Sequence, residues 1–259
     1  MKLRIRAALD YQLDEPTDVL LQLEAAYVPE QIIEQAWIDL SPCEHFARVS
    51  GQDGIGERIW LRAQGQLLVN YEAVVTVQRL ADDWRMLERV PSHLLTGETV
   101  PYLLPSRYCP SDRLWTFADA EFDGLEHGAQ ILAMRDWIAE HLHYVPGSSD
   151  SATTAADTFI TRQGICRDYA HLLITFARSV GIPARIASVY ALGVDPPDFH
   201  AVAEIFLGGS WHLVDATGMA QDGAMAKIGV GRDAADVAFL TSFGSTTMNA
   251  QSVSVEQVG

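Results

Sequence analysis

The chain has 259 residues, of which 48% are hydrophobic and 20% are charged, a composition typical of a globular protein with one large domain or two small ones. Its 18 basic and 34 acidic residues give a formal net charge of −16, which argues against a nucleic-acid partner because such a partner requires a basic surface. The three cysteines are widely spaced, so we expect no disulfide framework. The chain lacks a signal-peptide-like start and any run of about 18 apolar residues. We therefore expect a cytoplasmic protein with reduced thiols and no membrane partner.

The first eighty residues are predicted to form an antiparallel β module. Short β-prone segments recur about every ten residues, separated by Pro, Gly and Asp, a pattern typical of sandwiches or barrels. These segments are KLRIRAALDYQL, VLLQLEAAYV, QIIEQAWIDL, FARVSG, GERIWLRAQG and QLLVNYEAVVTVQRL. An irregular, proline-containing connector follows from Ala81 to about Asp123. We therefore place an N-terminal β-sandwich-like domain with its connector at residues 1–115 and a second domain at residues 116–259.

The second domain is predicted to be α+β. Apolar residues recur at helical spacing in EHGAQILAMRDWIAEHL and again in ICRDYAHLLITFARSVGIP. Gly181 ends the second of these helices in the usual way, and Pro183 cannot continue it. The strand-like segments that follow are ARIASVYAL, HAVAEIFL, SWHLVDAT, DVAFLTSFG and SVSVEQV.

Cys166 lies in the first turn of the second predicted helix. A thiol is nucleophilic only as the thiolate, and the unpaired N–H groups and dipole of a helix N-terminus favour the thiolate. Gly164, two residues earlier, permits a close backbone approach at this point. The position is therefore suited to a nucleophile, although a buried core cysteine is the alternative.

A histidine and an aspartate are brought together by a predicted hairpin. Two glycines at 208–209 form a two-residue turn between the strands HAVAEIFL and SWHLVDAT. The resulting register pairs His200 with Thr217 and places Asp215 on the same face as His200, one diagonal step away, about 7–8 Å between backbones. An imidazole and a carboxylate can bridge that distance, so the register alone indicates a His–Asp pair.

Together these residues form a candidate catalytic triad. Cys166 is the nucleophile, His200 the base, and Asp215 the group that fixes the tautomer of the imidazole. The backbone N–H of Cys166 is one donor for an oxyanion, and Gln163 is the candidate for a second. Two alternatives remain open: a non-catalytic scaffold that keeps an unused triad, and a zinc site in which the three residues are ligands and water is the fourth.

Three neighbouring residues are expected to serve the structure. Asp168 lies in the first helical turn, where an acid favours the dipole, and could pair with an arginine. His171 is about 140° around the helix from Cys166. Cys109 has no base near it in the sequence, so a packed thiol is expected there.

Several motifs resemble the transglutaminase-like superfamily, in its bacterial cysteine-peptidase-like branch. The core motifs are HYVPGSSDSATTAADTFITRQG, GICRDYAHLLITFARSVGIPAR and HAVAEIFLGGSWHLVDATG, and LLPSRYCPSD and GVGRDAADVAFLTSFG also fit. The resemblance implies a papain-like core, with helices packed on an antiparallel sheet, preceded by an all-β N-terminal domain. It also implies that residues 116–259 are the catalytic domain and that Cys166, His200 and Asp215 are its triad.

The expected activity is thiol-dependent acyl transfer that hydrolyses a peptide or carboxamide bond, with amine transfer of the transglutaminase type as the alternative. No cofactor or metal is expected, and the chain has no DxDxDG-like loop for calcium. Relatives often have HAW where this chain has HAV, so Val202 replaces an indole in the implied cleft wall. Tyr169 and Trp211 are the remaining candidates for aromatic residues that contact a peptide or amide substrate.

Overall fold

The computed structural model describes residues 1–79 and 83–259. Within these residues the fold is α+β, with two large antiparallel sheets and four α-helices, which confirms the predicted fold class. The strands are β1 (Lys2–Leu21), β2 (Gln31–Leu40), β3 (His45–Ser50), β4 (Glu57–Val77), β5 (His143–Tyr144), β6 (Gln163–Gly164), β7 (Ala184–Ala191), β8 (His200–Leu207), β9 (Ser210–Val214), β10 (Met225–Gly231), β11 (Leu240–Ser242) and β12 (Thr246–Gln257). The helices are α1 (Ser111–Glu121), α2 (His127–His141), α3 (Ala155–Thr161) and α4 (Cys166–Ser179). Leu80 and Ala81, where the last predicted strand ends and the predicted connector begins, lie outside the described residues.

The N-terminal sheet is built around the long strands β1 and β4. They pair along almost their whole length, and a bulge shifts the register between Leu13 and Thr17, next to Gly65. The sequence analysis divides each strand into two because Asp, Glu, Pro and Gly occur at this point. The strands continue instead, since a bulge accommodates extra residues without ending the pairing. Inward-facing side chains on both sides of the bulge belong to one apolar core, as expected for a sandwich-like module.

The C-terminal end of the chain also belongs to this sheet. β12 pairs with the first part of β1, and β11 pairs with its last three residues. The predicted division into residues 1–115 and 116–259 therefore does not follow the sheets, because residues 240–257 lie in the N-terminal one. An alternating pattern predicts a strand but not its partner, and here the free edge of β1 is covered by the chain terminus.

The second sheet has the strand order β10-β7-β8-β9 and carries α4 against it. α4 is buried along most of its length and contacts α1, α2 and α3 on its other sides. The apolar stripe predicted for α2 packs into this core through Ile131, Met134, Ile138 and Leu142. The sequence analysis does not predict α1, α3 or β10, and α1 crosses the predicted domain boundary. No helix in the described part of the chain is long and apolar enough to cross a bilayer.

A buried network of charged side chains joins the two sheets. Glu204 on β8 accepts hydrogen bonds from Arg185 at 2.7 Å and from Lys227 at 2.6 Å. Arg185 also donates to Asp53 at 2.8 Å, and Lys227 donates to Glu30 at 2.6 Å. Because Asp53 and Glu30 belong to the N-terminal part of the chain, the network fixes one sheet against the other.

Candidate active site

Cys166 is the first residue of α4 and is only 9% exposed. The helix start is fixed by Asp168, whose Oδ2 accepts a hydrogen bond from the backbone N–H of Ile165 at 2.9 Å. A Cβ at Gly164 would lie 2.7 Å from the Cβ of Asp168, so this position requires glycine. The close approach predicted at Gly164 is therefore made to the side chain that caps the helix.

Tyr144 is a site residue that the sequence analysis does not identify. β5 and β6 form a short parallel pair that aligns Tyr144 with Gly164, just before the start of α4. The Tyr144 hydroxyl is next to the backbone N–H and the thiol of Cys166, and both affect its pKa. Burial, followed by the charge of Cys166, raises the pKa of Tyr144 to about 12, so the phenol keeps its proton at neutral pH. The sequence signal for Tyr144 is its place as the second residue of the motif HYVPG.

His200 and Asp215 form a buried hydrogen-bonded pair. His200 Nε2 lies 3.0 Å from Asp215 Oδ2, and the two residues are 2% and 7% exposed. Asp215 Oδ1 accepts from the backbone N–H of Thr217 at 2.9 Å and from its hydroxyl at 2.7 Å. Asp215 Oδ2 also accepts from the backbone N–H of Ala220 at 2.9 Å. The carboxylate is thus held from several directions with one oxygen directed at the imidazole.

The β8–β9 hairpin follows the predicted register only in part. The pairs run as expected from Leu207–Ser210 to Ala203–Val214. β9 then ends, so the predicted pair of His200 with Thr217 is not formed. The chain turns after Val214 because Asp215 and Thr217 bond to each other and to the backbone that follows, in place of a ladder.

The charges of the site favour a protonated imidazole. Burial alone would lower the pKa of His200, but hydrogen bonding to Asp215 and Cys166 and their negative charges raise it to about 9. Burial would raise the pKa of Asp215, but its hydrogen bonds, that to His200 foremost, hold it below its ordinary value. His200 Nδ1 is buried, and within residues 1–79 and 83–259 it makes no hydrogen bond of standard geometry, so its interaction with Cys166 is a contact of looser geometry. Since Nε2 is bound to Asp215, Nδ1 is the nitrogen that is left for the thiol.

Cys166 and His200 open into a cleft of about 420 Å³. Its walls are largely apolar and aromatic, and they include Tyr144, Phe199 and Phe239. The rings of Phe199 and Phe239 are stacked at 4.5 Å between centroids. The N-terminal sheet region and the segment before β11 both contribute to the lining, so the cleft is formed by distant parts of the chain.

Two residues predicted to contact the substrate, one on α4 and one on the strand just before it, lie away from the cleft. Gln163 is exposed on β6, and it is not among the residues that line the cleft. Tyr169 is 5% exposed and belongs to the core around α4, with its ring 6.0 Å from that of Tyr144. Tyr144, in contrast, lines the cleft and lies next to the thiol of Cys166.

The two substrate residues predicted on the hairpin also lie elsewhere. Val202 is 1% exposed and packs in a small core with Ala187 and Leu213. Trp211 packs over the guanidinium of Arg185, 4.0 Å from its ring centroid, close to the ion network. Val202 and Trp211 share one face of the hairpin with His200 and Glu204, and at both positions this face is covered by packed side chains. The aromatic walls of the cleft come from loops instead.

His171 and Cys109, which the sequence analysis expects to serve the structure, are both packed in the protein interior. His171 Nε2 accepts from the backbone N–H of Ala234 at 3.1 Å, and its ring stacks on Tyr108. Burial lowers the pKa of His171 to about 3, so it is neutral. Cys109 is fully buried, which raises the pKa of its thiol to about 12. All three thiols are free, and Cys166 is the one that lines the cleft.

The zinc alternative gains no support from the geometry. Across the part of the chain that the structure describes, no three His, Cys, Asp or Glu side chains are grouped so as to hold a metal ion. Both oxygens of Asp215 are occupied by hydrogen bonds from His200, Thr217 and Ala220. The carboxylate is therefore arranged to orient the imidazole.

Comparisons with known proteins show the family to which the chain is similar. The model of the transglutaminase-like superfamily core matches residues 121–216, the segment that carries Cys166, His200 and Asp215. A solved structure from Cytophaga hutchinsonii, described as a candidate cysteine protease, is 36% identical with a TM-score of 0.93 and covers 99% of this chain and 90% of that chain. An uncharacterised protein of Mycobacterium leprae (strain TN) is 30% identical over 116 residues, 42% of each chain, so the match spans less than half of that relative.

Proposed function

This chain belongs to the transglutaminase-like superfamily, and we propose that it is a thiol hydrolase that cleaves a peptide or carboxamide bond through Cys166, His200 and Asp215. The observation that carries the proposal is the buried hydrogen bond of 3.0 Å between His200 and Asp215, in the same cleft as a cysteine at a helix N-terminus. A nucleophile, a base and a group that orients the base are the minimum set for covalent acyl transfer.

The first half of the reaction forms a thioester. The Cys166 thiolate, paired with the His200 imidazolium, attacks the carbonyl carbon of the substrate. The negative charge that develops on the carbonyl oxygen is stabilised by the backbone N–H of Cys166 and by the Tyr144 hydroxyl. His200 Nδ1 gives its proton to the departing amine as the carbon–nitrogen bond breaks, and the acyl group remains on the sulfur.

The second half releases the acid. His200, now neutral, takes a proton from a water molecule, whose oxygen attacks the thioester carbonyl. The carbon–sulfur bond breaks, the carboxylic acid leaves, and the thiolate–imidazolium pair is restored. Asp215 keeps its negative charge throughout, since its hydrogen bonds hold its pKa below the ordinary value. Its role is to keep Nε2 protonated and Nδ1 directed at the thiol.

Two other functions have less support. A non-catalytic scaffold would not need a cleft above the thiol, and this cysteine has one. Transfer to an amine would need a site beside the thioester that admits the amine and keeps water out. Tyr169 and Trp211, the aromatic candidates for such a site, are packed elsewhere, whereas Phe199 and Phe239 do line the cleft. Hydrolysis remains the proposal because it needs no second site for an amine beside the thioester.

The proposal is tested by trapping the acyl-enzyme. The protein is incubated briefly with a mixed peptide and amide library, quenched with acid and weighed intact, and the adduct is located by peptide mapping. We expect an acyl adduct on Cys166 in the wild type and none in Cys166→Ala. In His200→Asn the adduct should form far more slowly. A folded wild-type protein that alkylates normally but acquires no adduct from any donor would contradict the proposal.

A further inference from the structure

The N-terminal sheet region supplies one side chain to the active-site cleft. Gln22 directly follows β1 and lines the same cleft as Cys166 and His200, although it is only 2% exposed. Its backbone N–H donates to the carbonyl of Phe239 at 2.9 Å, so its position is fixed by another residue of the cleft wall. The side chain is therefore part of the floor of the cleft.

The orientation of the Gln22 carboxamide is set by an arginine. Arg58 Nε donates to Gln22 Oε1 at 3.3 Å, and Arg58 Nη2 donates to the carbonyl of Asp236 at 2.9 Å. A guanidinium has only donors, so the oxygen of the amide faces Arg58 and the nitrogen faces away from it. Gln22 Nε2 rests on Gly229, where a Cβ would overlap it. Glycine at position 229 thus makes room for the amide.

Gln22 Nε2 is buried and has no hydrogen-bond partner among the described residues. Gln31, a second buried glutamine near the same sheet, shows the contrast. Its Nε2 donates to the carbonyls of Ala26 at 2.6 Å and Lys227 at 2.9 Å, and its Oε1 accepts from the Lys227 N–H at 2.7 Å. Buried polar groups are usually satisfied in this way, so an amide that keeps two free donors in a cleft calls for a ligand.

A second polar group without a partner lies beside it. Ser188 on β7 is 9% exposed, lines the cleft, and has a buried hydroxyl that no described residue bonds. Ser188 is the direct cross-strand partner of Gly229 on one side and of Ala201 on the other. Because Gln22 Nε2 rests on Gly229, the two groups converge on one patch of the cleft floor. The residues around this patch, Ile186 and Ile228 among them, are apolar.

We infer that Gln22 and Ser188 form a subsite that binds a second carbonyl of the substrate, on the acyl side of the bond that is cleaved. An amide N–H and a hydroxyl are donors, and together they fit a carbonyl oxygen. The leaving amine must depart, and water must enter, on the open side of the cleft beside His200. The enclosed cleft floor around Gln22 and Ser188 is therefore left for the acyl part of the substrate. The inference rests on the proposed thiol hydrolase function and names its substrate class: peptide-like acyl donors, as opposed to simple aliphatic amides.

The spacing of the strands gives the reach of this subsite. Opposite residues of antiparallel strands lie about 4.5–5.5 Å apart, so Ser188 is about 5 Å from Ala201, which follows His200, and Gly229 is about as far again. An extended peptide spans about 3.3–3.6 Å per residue. The carbonyl that binds belongs to the second or third residue before the bond that is cleaved.

The test compares two thiol reagents on the full-length protein. Acetyl-trialanyl chloromethyl ketone alkylates the sulfur with loss of chloride and reaches the subsite, whereas iodoacetamide alkylates the same sulfur but is too small to reach it. The measured quantity is the second-order rate constant of the chloromethyl ketone at Cys166 divided by that of iodoacetamide. We expect the ratio to fall about fivefold in Ser188→Ala and about tenfold in Gln22→Glu, which keeps the acceptor for Arg58 but removes the donor.

Ser179→Ala is the matched control, since Ser179 lies away from the cleft and its hydroxyl bonds the carbonyls of Ser111 and Thr175. Its ratio should equal that of the wild type. Ratios within twofold of the wild type in both subsite variants would overturn the inference and leave the proposed function intact. Failure of Cys166 to react selectively with iodoacetamide in the wild type would count against the proposed function instead. Because Ser188→Ala removes an unpaired buried hydroxyl, its Tm should not fall.

Discussion

His200 and Asp215 are hydrogen-bonded at 3.0 Å, although the strand ladder that brings them together has ended one residue earlier, at Val214. The last step is made by the turn that follows β9, in which the N–H groups of Thr217 and Ala220 hold the carboxylate. The alignment of the pair therefore depends on this turn as well as on the hairpin. If the proposed triad is catalytic, variants of the turn should lower activity without removing any of its three members.

Asp215→Asn is expected to slow turnover by at least about tenfold, with a much smaller change in Tm. The amide can keep the hydrogen bonds from Thr217 through its oxygen, but its nitrogen then faces His200 Nε2 and favours the wrong tautomer. Turnover of the identified donor and thermal unfolding are measured on the same preparations. Asp119→Asn, at an exposed position on α1, is the control. Full activity in Asp215→Asn would show that the hydrogen bond is not used.

The charge of His200 should make both activity and stability depend on pH. Its pKa is about 9 in the folded protein against about 6.5 in an unfolded chain, so the charged form stabilises the fold. This contribution is complete below pH 6.5 and is lost as the pH rises through 9. Urea unfolding at pH 6 and at pH 9.5 gives the free energy of unfolding at each pH. Between these two values the free energy of unfolding should fall more in the wild type than in His200→Gln. In the proposed mechanism the imidazolium protonates the leaving amine, so turnover should fall with the same midpoint.

Much of this site follows from local sequence patterns. The helical spacing predicts that Cys166 begins α4, and the glycine turn at 208–209 predicts that His200 and Asp215 lie close together, because both patterns act over a few residues. Tyr144 could not be found in this way. It is held by a two-residue strand pair, which is too short to have a period.

The cleft walls could not be predicted because they depend on long-range pairing. Gln22 and Phe239 meet only because β11 and β12, at the end of the chain, pair with β1 at its beginning. An alternating pattern shows that a strand exists but gives no information about a partner more than two hundred residues away. For the same reason the predicted domain boundary separates segments that belong to one sheet.

Cys166 should be the thiol that reacts first. It lies at a helix N-terminus beside a protonated imidazole, whereas burial raises the pKa of Cys109 to about 12 and Cys43 has neither feature. Limiting iodoacetamide at pH 6, followed by peptide mapping, should label Cys166 well ahead of the other two. Cys43 is more exposed than Cys166, so simple accessibility would give the opposite order. Equal labelling of the three in the native protein would remove the basis for a thiolate nucleophile.

Tyr144→Phe separates the two candidates for the second oxyanion donor. Removing the hydroxyl beside Cys166 should lower kcat roughly tenfold to a hundredfold, with a smaller change in KM, because the donor acts mainly in the transition state. Gln163→Ala is the matched variant, and since Gln163 is exposed and outside the cleft, its kcat should stay within about twofold of the wild type. The reverse result would restore Gln163 as the donor and leave Tyr144 as a packing residue.

Water is expected to be the acyl acceptor. An amine transferase must admit an amine to the thioester and exclude water, and the aromatic side chains that could form such a passage on the hairpin and on α4 are packed elsewhere. Once a donor has been identified, it is supplied with excess primary amine, and the products are weighed. Free acid should dominate at millimolar amine.

A product mixture that is mostly amine adduct would make this protein a transferase, and Phe199 and Phe239 would then be the first candidates for the wall that excludes water. Phe239→Ala would test that directly, since a water-excluding wall predicts that its loss shifts the products toward free acid.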